Sequence, residues 1–99
     1  MSDPTPESAY RVDHDDAERA YTISIGDQVV GRLDYRRAGQ VLTLIHTEVD
    51  PDRQGQGVAS VLVRQALVDV RARGLRVVPT CPYVATWLDR HPDFADLVA

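Results

Sequence analysis

The sequence is poor in the residues that mark several classes of protein. Its only cysteine, Cys81, cannot form an internal disulfide, and no Cys/His pairing has the spacing of a zinc site. No apolar run approaches the roughly 20 residues of a membrane-spanning helix. The polar, proline-containing start of the chain lacks the apolar centre of a secretory signal. We therefore expect no metal site, no membrane contact and a cytoplasmic location.

Lysine is absent, so all 11 basic residues are arginine, and the formal net charge is −4. Five of the arginines lie between residues 53 and 76. This stretch is too short and too rich in aliphatic residues to predict a nucleic-acid surface. It is basic enough to neutralise a small polyanionic ligand. We therefore expect no nucleic-acid partner.

A length of 99 residues, with 43% hydrophobic and 26% charged residues, is typical of one soluble globular domain. Residues 1–9 are polar and predict a disordered tail. Residues 10–99 would then form the domain. There are no internal repeats or low-complexity segments.

The first half of the domain has the period-2 alternation of β-strands. Strands are predicted at 10–13, 21–25, 29–35 and 41–49, with turns between them, and Gly31 is a candidate β-bulge. In the strand 41–49, Leu42, Leu44 and His46 would lie on one face, and Val41, Thr43, Ile45, Thr47 and Val49 on the other. Apolar residues on both faces predict a central strand that is covered on both sides.

The second half predicts two helices. Apolar residues from Ala59 to Val70 recur at helical spacing, and Gly74 follows as a C-terminal cap. A short strand, 75–78, comes next, and Pro82 would open a second helix over 83–90. The sequence thus predicts an α/β (α+β) fold with a mixed, mostly antiparallel sheet, one long central helix and one short C-terminal helix.

A glycine loop, which we define as residues 53–59 (RQGQGVA), joins the strongest strand to the long helix. Glycine permits positive φ and close approach of the backbone to a ligand. The start of a helix adds free N–H groups and partial positive charge, which suit a pyrophosphate. A turn needed only for packing explains the same residues, and this alternative includes a dimeric interaction protein whose loop is purely structural.

The loop resembles a known family. Gln54-x-x-Gly57-x-Ala59 matches the Q/R-x-x-G-x-G/A signature of the GNAT superfamily of N-acetyltransferases. The segments 46–49, 77–84 and 90–92 are similar to the short, single-domain GNAT-like branch. The resemblance extends over about residues 10–98.

This resemblance implies acetyl-CoA as the donor, with pantetheine inserted between the strands ending at Val49 and Thr80. The Val49 amide would polarise the acetyl carbonyl. The implied CoA-binding residues are Val49, Arg53, Gln54, Gly55, Gln56, Gly57, Val58, Ala59 and Ser60. The implied activity is direct acetyl transfer to a primary amine of a small molecule, peptide or protein; the alternative is a CoA-binding module with little turnover. The chain lacks room for the helix pair that usually helps to bind the acceptor. The acceptor site would therefore be open, or would be completed by the second subunit of a homodimer.

Four residues are candidates for catalysis. Cys81 precedes a helix-opening proline, where a partly exposed thiol would be reactive; a small buried apolar residue is the alternative. His46 and Glu48 share a strand face and would take a proton from an ammonium group, although a structural histidine and a surface glutamate fit equally. Tyr83 would donate a proton to the leaving thiolate, or is simply a half-buried aromatic residue.

Overall fold

The computed structural model describes residues 9–99, so the tail predicted for residues 1–9 lies, except for its last residue, outside the described residues. The strands are β1 (Tyr10–Asp15), β2 (Ala20–Ile25), β3 (Gln28–Ala38), β4 (Val41–Val49) and β5 (Arg76–Pro79). The helices are α1 (Val58–Ala72) and α2 (Pro82–Asp89), and short 3-10 helices span Pro51–Arg53 and Pro92–Leu97. No helix within residues 9–99 combines the length and apolarity needed to cross a bilayer.

The five strands form one sheet in the order β1-β2-β3-β4-β5. The first four strands are antiparallel, and β5 pairs with β4 in parallel. A parallel pair needs a crossover connection, which α1 provides. The predicted mixed, mostly antiparallel sheet with one long and one short helix is confirmed. The β3 bulge lies one residue before the predicted position, at Val30, which has no partner on β2.

Helix α1 packs its apolar face against the sheet. Its buried residues are Val58, Leu62, Val63, Ala66, Leu67 and Val70. They recur at the spacing of one helical stripe, and for that reason the sequence pattern located the helix. Gly74 has a φ of 69°, and its left-handed conformation ends the helix as predicted.

Strand β4 contains an extra residue that the alternation did not reveal. Tyr35 of β3 pairs with Leu44, and Asp34 pairs with His46, so Ile45 has no partner on β3. This β-bulge shifts the strand's side-chain alternation by one position. Ile45 is 37% exposed, so the prediction of a strand covered on both sides is wrong at this position.

The bulge changes which residues of β4 face α1. Thr47 lies 3.4 Å from the sulfur of buried Cys81, and Val49 packs against the core. Both residues therefore lie on the core face, contrary to the prediction that separated them from the buried leucines of β4. His46 and Glu48 are exposed on the opposite face. They share a face, as predicted, but this is the face away from the core.

Helix α2 lies beside the start of α1. Pro82 is its first residue, and Cys81 is its N-cap, as the sequence predicted. Trp87 is 4% exposed and donates a hydrogen bond from Nε1 to Ser60 Oγ at 2.9 Å. The guanidinium of Arg64 lies over the same indole ring. These contacts hold the second half of α2 against the first half of α1.

Candidate functional site

Strands β4 and β5 separate at Leu44, and a wedge opens between them. Their parallel pairing ends at Leu44 and Pro79. The carbonyl of Leu44 accepts two hydrogen bonds at this point, one from the Thr80 hydroxyl and one from the Cys81 N–H, both at 2.9 Å. Strand β4 then continues to Val49 without β5 beside it, because the chain after Thr80 turns into α2.

The backbone at the end of β4 presents a free N–H group to this wedge. Asp50 donates its N–H to Val30 O on β3, at 2.8 Å. Successive residues of a strand direct their N–H groups to opposite edges. The Val49 N–H therefore points away from β3, into the wedge. The pairing of β4 with β5 ends at Leu44, so no carbonyl of β5 lies beside this N–H.

The glycine loop adds further free donors at the wide end of the wedge. Gly55 and Gly57 have φ values of 79° and 78°, which side chains other than glycine rarely adopt. Gly57 is the N-cap of α1 and supplies no side-chain cap, and the first turn contains no acidic residue. The N–H groups of residues 55–60 have no backbone acceptor within residues 9–99. The loop is thus suited to an anion.

A cavity of about 330 Å³ connects the loop to the wedge. Its lining is Val49, Arg53, Gln54, Gly55, Gly57, Val58, Ala59 and Tyr83. The structure therefore brings seven of the nine predicted CoA-binding residues into one cavity. The other two point elsewhere: Gln56 donates to Asp52 O, and Ser60 accepts from Trp87.

Tyr83 is the predicted catalytic residue that reaches this cavity. Its side chain is 41% exposed and lies across the wedge from Val49. Burial raises the pKa of Tyr83, and a hydrogen bond with Ser60 partly opposes this shift. The phenol is therefore protonated at neutral pH and is a proton donor.

Cys81 is less accessible than expected. It is 4% exposed and belongs to the hydrophobic core, so the prediction of a partly exposed thiol is wrong. The sulfur lies 3.4 Å from the Thr47 hydroxyl. The carbonyl of Cys81 accepts the Ala85 N–H in the first turn of α2. The thiol is next to the wedge, and its catalytic role stays a prediction.

His46 and Glu48 do not line the glycine-loop cavity. Glu48 lines a separate cavity of about 260 Å³ with Val29, Gly31, Arg32, Val49, Asp50 and Pro51. Val49 lines both cavities and lies between them. Asp50, which lines this second cavity together with Glu48, was not among the predicted site residues. Its position directly after a strand, next to a candidate glutamate, was the available signal.

A cavity larger than that of the glycine loop lies elsewhere, between β1 and the C-terminal half of α1. It has a volume of about 420 Å³, and its lining includes His14, Tyr21, Asp69 and Arg73. Asp69 accepts hydrogen bonds from the Tyr21 hydroxyl and from Arg73 Nε, both at 2.7 Å. His14 stacks on Tyr21 and is hydrogen-bonded to the Tyr35 hydroxyl. The polar groups here are already bonded to one another, unlike those of the glycine loop.

Known proteins resemble this chain both in sequence, over a range that includes the glycine loop, and in fold. A sequence model of the family described as GCN5-related N-acetyl-transferase matches residues 20–97. This range includes β2–β5, both helices and the entire glycine loop.

Several solved structures share the fold. The solution structure of a GCN5-like protein from Staphylococcus aureus has a TM-score of 0.69 and 19% identity, covering 93% of this chain and 90% of that one. The ribosomal-protein-S18-alanine N-acetyltransferase of Escherichia coli has a TM-score of 0.58 and 22% identity, covering 74% and 51%. An aminoglycoside acetyltransferase from an uncultured soil metagenomic sample, in complex with sisomicin, has a TM-score of 0.53 and 19% identity, covering 78% and 53%.

Proposed function

Because the chain belongs to the family of GCN5-related N-acetyltransferases, we propose that it transfers an acetyl group from acetyl-CoA to a primary amine by direct attack. One observation carries the proposal. The free N–H groups of the glycine loop and the free N–H of Val49 border the same cavity. The first set suits a pyrophosphate, and the second suits the oxygen of a thioester carbonyl.

The described residues fit the donor. The N–H groups of residues 55–60 would donate to the pyrophosphate, and the side chain of Arg53 adds positive charge to the same cavity. Pantetheine would lie between Val49 and Tyr83, where β4 has no strand beside it. Acetyl-CoA supplies an activated thioester carbonyl. The Val49 N–H would hydrogen-bond to that carbonyl oxygen and stabilise the negative charge that develops on it.

We propose that the amine approaches from the Glu48 cavity, on the other side of Val49. That cavity is lined by Glu48 and Asp50, whose carboxylates would attract an ammonium ion. Arg32 also lines it, but its guanidinium is already paired with Asp34. Glu48 or His46 takes the proton of the ammonium, directly or through water. The amine nitrogen then forms a bond to the acetyl carbon as the carbon–sulfur bond breaks, and it loses its second proton to water. Tyr83, or Cys81 beside it, gives a proton to the departing thiolate.

A second candidate function is CoA binding with little turnover. The chain spans about half the length of the Escherichia coli enzyme and of the aminoglycoside acetyltransferase. Only residues 16–19 separate β1 from β2, which leaves no helix there to form a wall of the acceptor site. A site that is open on this side would bind the donor well and the acceptor weakly.

Two measurements test the proposal. Calorimetry with acetyl-CoA should show binding at one site per chain. An assay of thiol release with a panel of amines should then show turnover that depends on both substrates. Binding without release for any amine favours the second candidate. Absence of binding contradicts both functions and favours a glycine loop with a purely structural role.

A further inference from the structure

A smaller cavity of about 180 Å³ lies next to the glycine-loop cavity, between the first turn of α1 and helix α2. Its lining is Ser60, Tyr83, Thr86, Trp87, Arg90 and His91. Tyr83 lines both cavities. Ser60 also connects them, because its N–H is one of the free donors in the first turn of α1 and its side chain borders the smaller cavity.

The charge of this cavity is positive. Arg90 is its one permanently charged lining residue, and no carboxylate is among the lining residues. Within residues 9–99, Arg90 forms no salt bridge, whereas Arg71 and Arg73 on α1 are paired with Asp96 and Asp69. An unpaired guanidinium beside a cavity favours a ligand that carries negative charge.

At the end of α2, the carbonyl of Trp87 is already hydrogen-bonded. Trp87 O accepts from His91 Nδ1 at 2.6 Å and from the Arg90 N–H at 3.2 Å. Since a carbonyl only accepts, His91 Nδ1 is the donor, and Nε2 of the neutral ring is then an acceptor. The imidazole also stacks on the Trp87 indole, with ring centroids 3.7 Å apart. The ring is therefore held in place before any ligand binds.

The lining favours a phosphate group over an aromatic base. Trp87 is 4% exposed, and His91 stacks on its ring, so little of the indole is left for a base to contact. Hydroxyl groups on Ser60 and Thr86 add further hydrogen-bond donors. These groups, with Arg90, match the donors that a phosphate dianion needs.

We propose that this cavity binds the 3′-phosphate of coenzyme A, with Arg90 as its charge partner and the hydroxyl groups of Ser60 and Thr86 as additional donors. The inference rests on the proposed function, which puts the pyrophosphate of the same ligand at the N–H groups of residues 55–60. The 3′-phosphate is attached to the ribose that follows this pyrophosphate. The two neighbouring cavities thus bind two neighbouring anionic groups of one molecule.

The test compares two probes by calorimetry: coenzyme A and 3′-dephospho-coenzyme A, which differ only in this phosphate. The unchanged protein should prefer coenzyme A by about tenfold, equivalent to about 1.4 kcal/mol. Arg90→Gln should weaken binding of coenzyme A until the two affinities are nearly equal, and leave the affinity for the dephosphorylated probe unchanged. The preference should also decrease as the salt concentration rises.

Arg11→Gln is the matched control, because it removes the same charge from an exposed residue of β1. It should keep the full preference. Equal affinities of the unchanged protein for both probes overturn the inference and leave the proposed function standing, as does a preference that survives Arg90→Gln in a folded variant. Absence of binding for both probes contradicts the proposed function itself, and the inference with it.

Discussion

The two ends of helix α1 differ in what their polar groups bind. At the N-terminal end, Gly57 provides no side-chain cap, and the N–H groups of residues 55–60 have no backbone acceptor within residues 9–99. At the C-terminal end, Asp69 is bonded to both Tyr21 and Arg73, and the Leu75 N–H donates to Val70 O. We call the N-terminal end the open end, because its N–H groups are available to a ligand. We call the C-terminal end the closed end, because its polar groups are hydrogen-bonded to other residues of the protein.

This difference shows that the size of a cavity does not identify the site. The cavity at the closed end is the larger, about 420 Å³ against about 330 Å³. Its polar groups form bonds with one another that stabilise the fold. At the open end, the unpaired donors gain their partners only when an anion binds. Four variants test this division between binding and stability.

Gly57→Glu should have the largest effect, on the open end. A carboxylate at this position repels the pyrophosphate and occupies its space, so the affinity for acetyl-CoA should fall by more than about 30-fold, or about 2 kcal/mol. Gly57→Ala is the control. Both variants impose a side chain on a φ of 78°, and an alanine Cβ would meet nothing within 4 Å. Calorimetry should show that the alanine variant still binds acetyl-CoA. Equal affinities of the parent and Gly57→Glu for acetyl-CoA would contradict the assignment of the glycine loop as the pyrophosphate site.

Asp69→Ala should have the next largest effect, on the closed end. The substitution leaves the hydroxyl of Tyr21 without its acceptor, although that side chain is fully buried. We expect the free energy of unfolding to fall by about 2 kcal/mol and the affinity for acetyl-CoA to stay unchanged. Asp96→Ala, which breaks an exposed pair with Arg71, should cost less than about 1 kcal/mol. Urea denaturation measures both values. If Asp69→Ala instead weakened acetyl-CoA binding and left the free energy of unfolding unchanged, the C-terminal end of α1 would serve binding rather than stability.

Cys81→Ala sharpens the comparison, because Cys81 is near the open end and yet is buried. The proposed proton transfer predicts that kcat falls at least tenfold, about 1.4 kcal/mol in the barrier, with little change in acetyl-CoA binding. The burial of the sulfur now predicts slow alkylation rather than the fast alkylation expected of an exposed thiol. Cys81→Ser, which keeps a proton donor, is the control. Turnover equal to that of the parent would make Cys81 a packing residue and leave Tyr83 as the acid.

Tyr21→Phe should have the smallest effect at neutral pH, about 1 kcal/mol of stability for one lost hydrogen bond. Burial, and then the hydrogen bond with Asp69, raise the pKa of Tyr21 above its usual value of 10.0. Below pH 10 the phenol is protonated in both folded and unfolded chains, and its contribution is constant. Above about pH 10 the unfolded chain loses the proton first, so stability falls as pH rises.

Denaturation at several alkaline pH values measures this slope, which Tyr21→Phe should reduce. Tyr83→Phe is the comparison, because Tyr83 is 41% exposed and its removal should change the slope less. The slope does not vanish in either variant, since burial also raises the pKa of Tyr35. A slope that is identical in the parent and in Tyr21→Phe would contradict the role of Tyr21.

Much of the fold and one part of the site were predictable from the sequence. The helical spacing of apolar residues located α1, and Pro82 and Gly74 marked a helix start and a helix end, because these signals act within a few residues of the chain. The glycine loop was predictable for the same reason. The cluster of His14, Tyr21 and Asp69 was not, since its members are far apart in sequence and only packing brings them together.

The sequence by itself determined the order of the elements, the single parallel crossover and the glycine-rich start of α1, since periodicity, turn residues and backbone conformational preference are local. Tertiary structure alone decided which side of β4 faces the core. The bulge at Ile45 arises from pairing with β3, and it directs Thr47 and Val49 inward and Glu48 outward. Tertiary structure also decided that Cys81 is buried and that Val49 borders two cavities. These features depend on how strands pair and separate, which is set by contacts between residues distant in the chain.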